Sequence, residues 1–130
     1  MRVHLVDPAA YTPPYDRALA SALVRAGVEV ELWTTAFRHG EVPPVPGVTV
    51  REAFYRRGGG RAARLAQHVP DMLRYGRAAK AADVVHYQWL AVPALDRFLL
   101  PSRRPRVLTA HDVLPREPRP GQLAGQKALS

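Results

Sequence analysis

The chain has 130 residues, 47% of them hydrophobic, which is enough for one folded domain but not two and too apolar for a disordered chain. No apolar stretch approaches the ~20 residues a membrane-spanning helix needs, and the absence of cysteine removes disulfides, thiolate metal sites and cysteine nucleophiles. Nineteen basic against eleven acidic residues give a formal charge of +8, so an anionic partner is one reading and an arginine-rich solvated surface the other.

Residues 2–6 form a short β run ended by Asp7-Pro8, too brief for a secretory signal, so a cytoplasmic location is expected. A Pro-containing loop at 11–15 follows. From Asp16 the apolar residues Ala18, Leu19, Ala22, Leu23 and Ala26 recur at helical spacing, and Gly27 is placed as the stop. The β-branched stretch 28–33 reads as a second strand, 34–47 as loop, and Val48-Thr49-Val50 resumes extended structure.

Gly58-Gly59-Gly60 reads as a flexible turn, since no Gly-Lys-Ser/Thr follows to complete a phosphate-binding loop. The helical region after it extends to about residue 82, with Leu65, Val69, Met72, Gly76 and Ala79 along one face. Pro70 lacks the amide an interior position needs, which predicts two short helices rather than one. Arg56, Arg57, Arg61, Arg64, Arg74, Arg77 and Lys80 fall in this segment with Asp71 as its only acid, marking an anion-facing or membrane-facing surface. Aromatics are not interleaved with these basic residues as a stacking platform requires, which argues against a nucleic-acid partner.

Strand 84–88, a helix around 94–100, a basic turn at 101–105 and strand 107–110 complete the alternation. Strands separated by helices predict a Rossmann-like, doubly wound parallel α/β sheet. Residues 115–121 read as loop and 122–129 as the start of a further helix, so the end of the chain reads as an interruption of the domain.

In open α/β sheets ligands bind outside the carboxyl ends of the strands. Two apolar runs deliver polar groups there: Asp83-Val84-Val85-His86-Tyr87-Gln88-Trp89 and Arg106-Val107-Leu108-Thr109-Ala110-His111-Asp112. His86, Gln88, Trp89, His111 and Asp112 are therefore the candidate site residues. A zinc site wants three or four ligands and no third histidine or glutamate has suitable spacing, so no metal is expected. Asp7-Pro8-Ala9-Ala10-Tyr11 lacks the glycines of a dinucleotide fingerprint, and none of the three serines lies in a nucleophile elbow.

These blocks, with the opening strand, the Tyr-rich loop and the stretch 19–30 with its Ala26-Gly27-Val28-Glu29-Val30 ending, carry a resemblance over essentially the whole chain. It resembles the N-terminal half of a GT-B glycosyltransferase of the glycogen-synthase-like, family 4 type. The resemblance implies an acceptor-binding half, with His111 catalytic beside the transferred sugar and Tyr11, His86, Gln88, Trp89 and Asp112 on the acceptor side. It further implies a nucleoside diphosphate sugar donor, a hydroxyl acceptor, retention of configuration and no other cofactor. Many relatives carry a Gly-Gly loop after the first strand, where this chain has Tyr11-Thr12-Pro13-Pro14-Tyr15. The C-terminal domain that holds the nucleotide sugar in this family has no counterpart in the 130 residues, so the isolated chain is expected to be inactive. The alternative is a non-catalytic binding half-protein that pairs with a separate donor domain or, through segment 56–80, with an acidic surface at the inner membrane face.

Overall fold

The computed structural model describes residues 1–37, 43–100 and 105–109. Strand β1 (Arg2–Asp7) leads to helix α1 (Pro13–Arg25), and β2 (Glu29–Thr34) and β3 (Val48–Glu52) follow. Helix α2 (Arg61–Ala78) then crosses to β4 (Val84–Tyr87), helix α3 (Pro93–Leu99) and β5 (Arg106–Leu108). All pairings are parallel and the strand order is β3-β2-β1-β4-β5, the doubly wound arrangement expected from the sequence.

Because side chains alternate along a strand, β1 feeds two cores. Val3 and Leu5 pack with Ala20, Val30 and Leu32 on the α1 face. Val6 packs with Met72, Tyr75, Val85 and Tyr87 on the α2 face. Burial on both faces explains why this central strand is apolar on either side, with only His4 polar between Val3 and Val6. On the α2 face His4, fully buried, places Nδ1 3.1 Å from the Tyr75 hydroxyl. Its Nε2 lies 2.6 Å from Glu31 Oε2, out of line with the ring N–H. Burial lowers the His4 pKa, and the Glu31 charge opposes that shift.

Three expectations need correction. Helix α1 starts at Pro13, inside the expected 11–15 loop, because the fixed φ of proline suits a first helical position that needs no amide donor. The Asp16 amide closes the first turn onto the Thr12 carbonyl at 2.9 Å. Helix α2 is one helix through Pro70, extended by a 3-10 turn (Ala79–Ala81), rather than two short ones. Pro70 and Ala66, whose carbonyl loses its partner, are both exposed, so water can satisfy the orphaned oxygen. Pro70→Ala should therefore raise stability in urea denaturation by up to about 3 kcal/mol. A loss of stability would mean that the helix depends on its proline.

The expected face of this helical region is buried at Met72 and Ala79 but not in its first half. Leu65 and Val69 are 51% and 37% exposed, while His68, Asp71, Met72 and Tyr75 are buried. The turn before α2 needs its glycines: Gly59 has φ +94°, and a Cβ there would meet the Ala63 Cβ at 2.7 Å.

Candidate functional site

The chain runs outward from β1 through β2 to β3, then crosses back to place β4 on the other side of β1. The crevice between the carboxyl ends of β1 and β4 is thus the topological switch point. The Gln88 amide donates to the Val6 carbonyl at 2.9 Å, which carries the β4 pairing up to this rim.

Beyond β1 the chain turns tightly. The Ala10 amide donates to the Asp7 carbonyl at 3.1 Å with Ala10 at φ +52°, and the Thr12 amide donates to Asp7 Oδ2 at 3.1 Å. The Trp89 indole N–H donates to Thr12 Oγ1 at 2.9 Å, and the Thr12 hydroxyl reaches Asp16 Oδ1 at 3.5 Å. The Tyr11 ring stands edge-on to Trp89 with centroids 5.5 Å apart. These contacts join the turn after β1 to the turn after β4. They leave an aromatic pair at the surface, with Tyr11 53% exposed and Trp89 partly so.

Beneath the pair lie two buried carboxyl groups, Asp7 and Asp16. Burial, then the hydrogen bond and charge of Asp7, push Asp16 up to about 9. Asp16 therefore carries a proton at neutral pH. Asp7 Oδ1 has no N–H or neutral hydroxyl donor among the described residues and is left to accept that proton. Sealed from solvent, the pair shapes the Thr12 and Trp89 turn rather than touching a ligand.

His86 and Gln88 lie at the same end of β4 in different settings. His86 pairs in register with Leu5 on the α1 face, where its Nε2 is 2.6 Å from Thr109 Oγ1, and burial lowers its pKa. Gln88 is fully buried, with neither amide atom hydrogen-bonded among the described residues. The β5 ladder reaches Thr109, whose amide donates to the Tyr87 carbonyl at 2.9 Å. His111 and Asp112, and the expected elements at 115–129, lie outside the described residues. The structure thus brings Tyr11 and Trp89 together and holds His86 separately against Thr109.

In the basic segment Arg56, Arg57, Arg61, Arg74, Arg77 and Lys80 are exposed, and Arg64 lies 5.6 Å over the Tyr55 ring. Arg74 pairs with Asp71 at 3.1 Å. Leu65, Val69 and Leu73, one turn apart along α2, are exposed beside them.

Sequence reasoning missed a buried relay next to the rim. The Tyr55 hydroxyl is 2.7 Å from His68 Nδ1, and His68 Nε2 meets Asp96 Oδ1. A carboxylate only accepts, so the ring proton belongs on Nε2 and Tyr55 donates to Nδ1. Burial pushes the Tyr55 pKa up, which keeps it a donor. Asp96 Oδ2 also accepts the Val92 amide at 3.1 Å, which fixes the start of α3 just after Trp89. Tyr55 itself has φ +52°, a conformation held by its amide on Asp71 Oδ2 at 2.9 Å. Asp7 and Asp16 were legible in principle as acids at the end of β1 and in the first turn of the following helix. His68 and Asp96 are 28 residues apart and gave no local signal.

Among the described residues no three His, Asp or Glu side chains are grouped to hold a metal, and no helix is long and apolar enough to cross a membrane. No curated protein sequence matches the chain. Among solved structures it is similar to a UDP-galactose 4-epimerase, with TM-score 0.45 and 13% identity, over 98% of this chain and 48% of that one. The chain thus spans about half the length of that protein. The family model described as Glycosyltransferase Family 4 matches residues 15–129, a span that runs from the first turn of α1 past the last described strand. On that match over most of its length, the chain belongs to Glycosyltransferase Family 4.

Proposed function

We propose that the chain is the acceptor-side, N-terminal part of a GT-B glycosyltransferase. It would act in transfer of a sugar from a nucleoside diphosphate sugar to a hydroxyl acceptor with retention of configuration. The observation that supports this is the convergence of Tyr11, Thr12 and Trp89 at the β1/β4 switch point of a family 4 domain. An amphipathic aromatic pair at such a rim suits the flat apolar face of a sugar or another ring. In this reading Tyr11 and Trp89 bind the acceptor, with His86, Gln88 and Asp112 completing that side. His111, two residues along the sequence from Thr109, contacts the transferred sugar or stabilises the reacting centre.

Transfer requires donor and acceptor in near-attack geometry, and in this reading a second domain holds the nucleotide sugar. The 130-residue polypeptide tested alone should therefore turn over no nucleotide sugar, and robust turnover would refute the division of labour. In an enzyme where these residues are joined to a nucleotide-sugar-binding domain, NMR of the product should show the anomeric configuration of the donor. His111→Ala should abolish transfer with thermal stability nearly unchanged. An inverted product contradicts the retaining mechanism, and a His111→Ala protein of normal specific activity contradicts the catalytic assignment.

A second reading rests on α2. Its exposed Leu65, Val69 and Leu73 row, flanked by Arg61, Arg74 and Arg77, has the make-up of an interfacial helix, which suits cytoplasmic attachment to an acidic inner membrane face. Leu73→Glu should weaken binding to phosphatidylglycerol vesicles by roughly ten-fold or more, the value of one buried leucine. Salt should weaken wild-type binding as well. Equal binding to neutral phosphatidylcholine vesicles would count against it. Vesicle binding without any transfer in the joined enzyme would favour a non-catalytic binding module.

A further inference from the structure

Between α1 and strands β2 and β3 lies a cavity of about 350 Å³. That is within the size range of small-molecule sites, at its lower end. Leu32, Val48 and Val50 form its apolar wall, while Asp16 and Arg17 from the first turns of α1 and Glu52 from the end of β3 supply polar groups. Neither Tyr11 nor Trp89 lines it, so it is a compartment separate from the aromatic rim, with Asp16 standing in the wall between them.

Its polar end holds an unused donor. Arg17 Nε is buried and has no hydrogen-bond partner among the described residues, where no carboxylate oxygen comes within ion-pair distance of it. Arg17 as a whole is half-buried, but a buried N–H without an acceptor is unusual in a native fold and points to a missing partner. Asp16 carries its proton at neutral pH, held by Asp7, and so adds no negative charge to the wall. Glu52 is exposed, where water screens it.

We propose that this cavity binds a small free amphiphile with an apolar body and an anionic carboxylate or phosphate head. The body lies against Leu32, Val48 and Val50, and the head accepts a hydrogen bond from Arg17. This cavity is independent of the acceptor reading, because none of its wall residues belongs to the aromatic pair.

Octanoate and octyl phosphate, titrated into the full chain and followed by methyl NMR, test the proposal, with octanol and octylamine as head-group controls. The expected result is saturable shifts of the Leu32, Val48 and Val50 methyls, with both anions bound at least ten-fold tighter than either control. Arg17→Met, which keeps the stem and removes the charge, should erase that preference. Val50→Trp should abolish binding by filling the cavity from the edge strand, where Val50 is 47% exposed, while leaving the Trp89 indole resonance in place. Equal binding of octanol or octylamine, an unchanged Arg17→Met, or the absence of saturable shifts overturns the proposal. So do shifts confined to Tyr11 and Trp89, or cavity shifts seen only with phosphatidylglycerol vesicles.

Discussion

Replacing His68 with leucine is expected to destabilise the protein by about 3–5 kcal/mol, the cost of leaving a buried hydroxyl and a buried carboxyl oxygen without their shared partner. His68 and Asp96 are 0% and 1% exposed, so neither water nor a side-chain shift can replace the lost imidazole. The substitution strands the Tyr55 hydroxyl and one Asp96 oxygen together, and Tyr55 is already held at a positive φ. Tyr55→Phe removes only the terminal donor and should cost about 1 kcal/mol. Urea denaturation of the two variants separates these costs. If His68→Leu loses less than Tyr55→Phe, the relay does not hold α2, α3 and the β3–α2 turn together.

The second large effect is one of pH. Asp16 titrates near 9 in the folded protein and near 3.8 when unfolded. Between those values the folded state holds a proton that the unfolded state has released, so stability falls as pH rises, by up to about 1.4 kcal/mol per pH unit. The contribution is fully present below the unfolded value and is lost as pH climbs through the folded one. Asp16→Asn keeps a donor for Asp7 and cannot ionise. Relative to wild type its stability should therefore rise by up to about 1.4 kcal/mol per pH unit from about pH 5 to 8, and it should exceed wild type at about pH 8. Parallel curves for the two proteins would show that Asp16 is not held protonated by burial beside Asp7.

The strands and their winding were readable because central parallel strands carry their own signal. Val3 to Val6 and Val84 to Tyr87 are apolar on both faces or nearly so, and helical spacing between such runs leaves few topologies. Helix α2 misled for a specific reason. Its buried face carries His68 and Asp71, polar groups satisfied by Tyr55, Asp96 and the Tyr55 amide, so the apolar row that hydropathy selects, Leu65 and Val69, is the outer one. Pro70 misled because its cost depends on whether water can reach the Ala66 carbonyl, which only the orientation of the helix decides.

At the site, Trp89 and Gln88 were marked by their place at a strand end, and Tyr11 by the family resemblance. The indole bond to Thr12 that gathers them spans 77 residues, and such a long-range contact leaves no trace in local spacing. The state of Asp16 was equally hidden, since it comes from burial and from the nearness of Asp7, and the sequence separates the two by an ordinary turn.

The most direct test of the acceptor-side reading is the kinetic effect of Trp89→Ala in an enzyme joining these residues to a nucleotide-sugar-binding domain. The acceptor KM should rise at least ten-fold, in line with the loss of an aromatic contact worth roughly 1.5 kcal/mol, while the KM for the nucleotide sugar stays the same. A raised donor KM with an unchanged acceptor KM would place the β1/β4 rim on the wrong substrate and contradict the account.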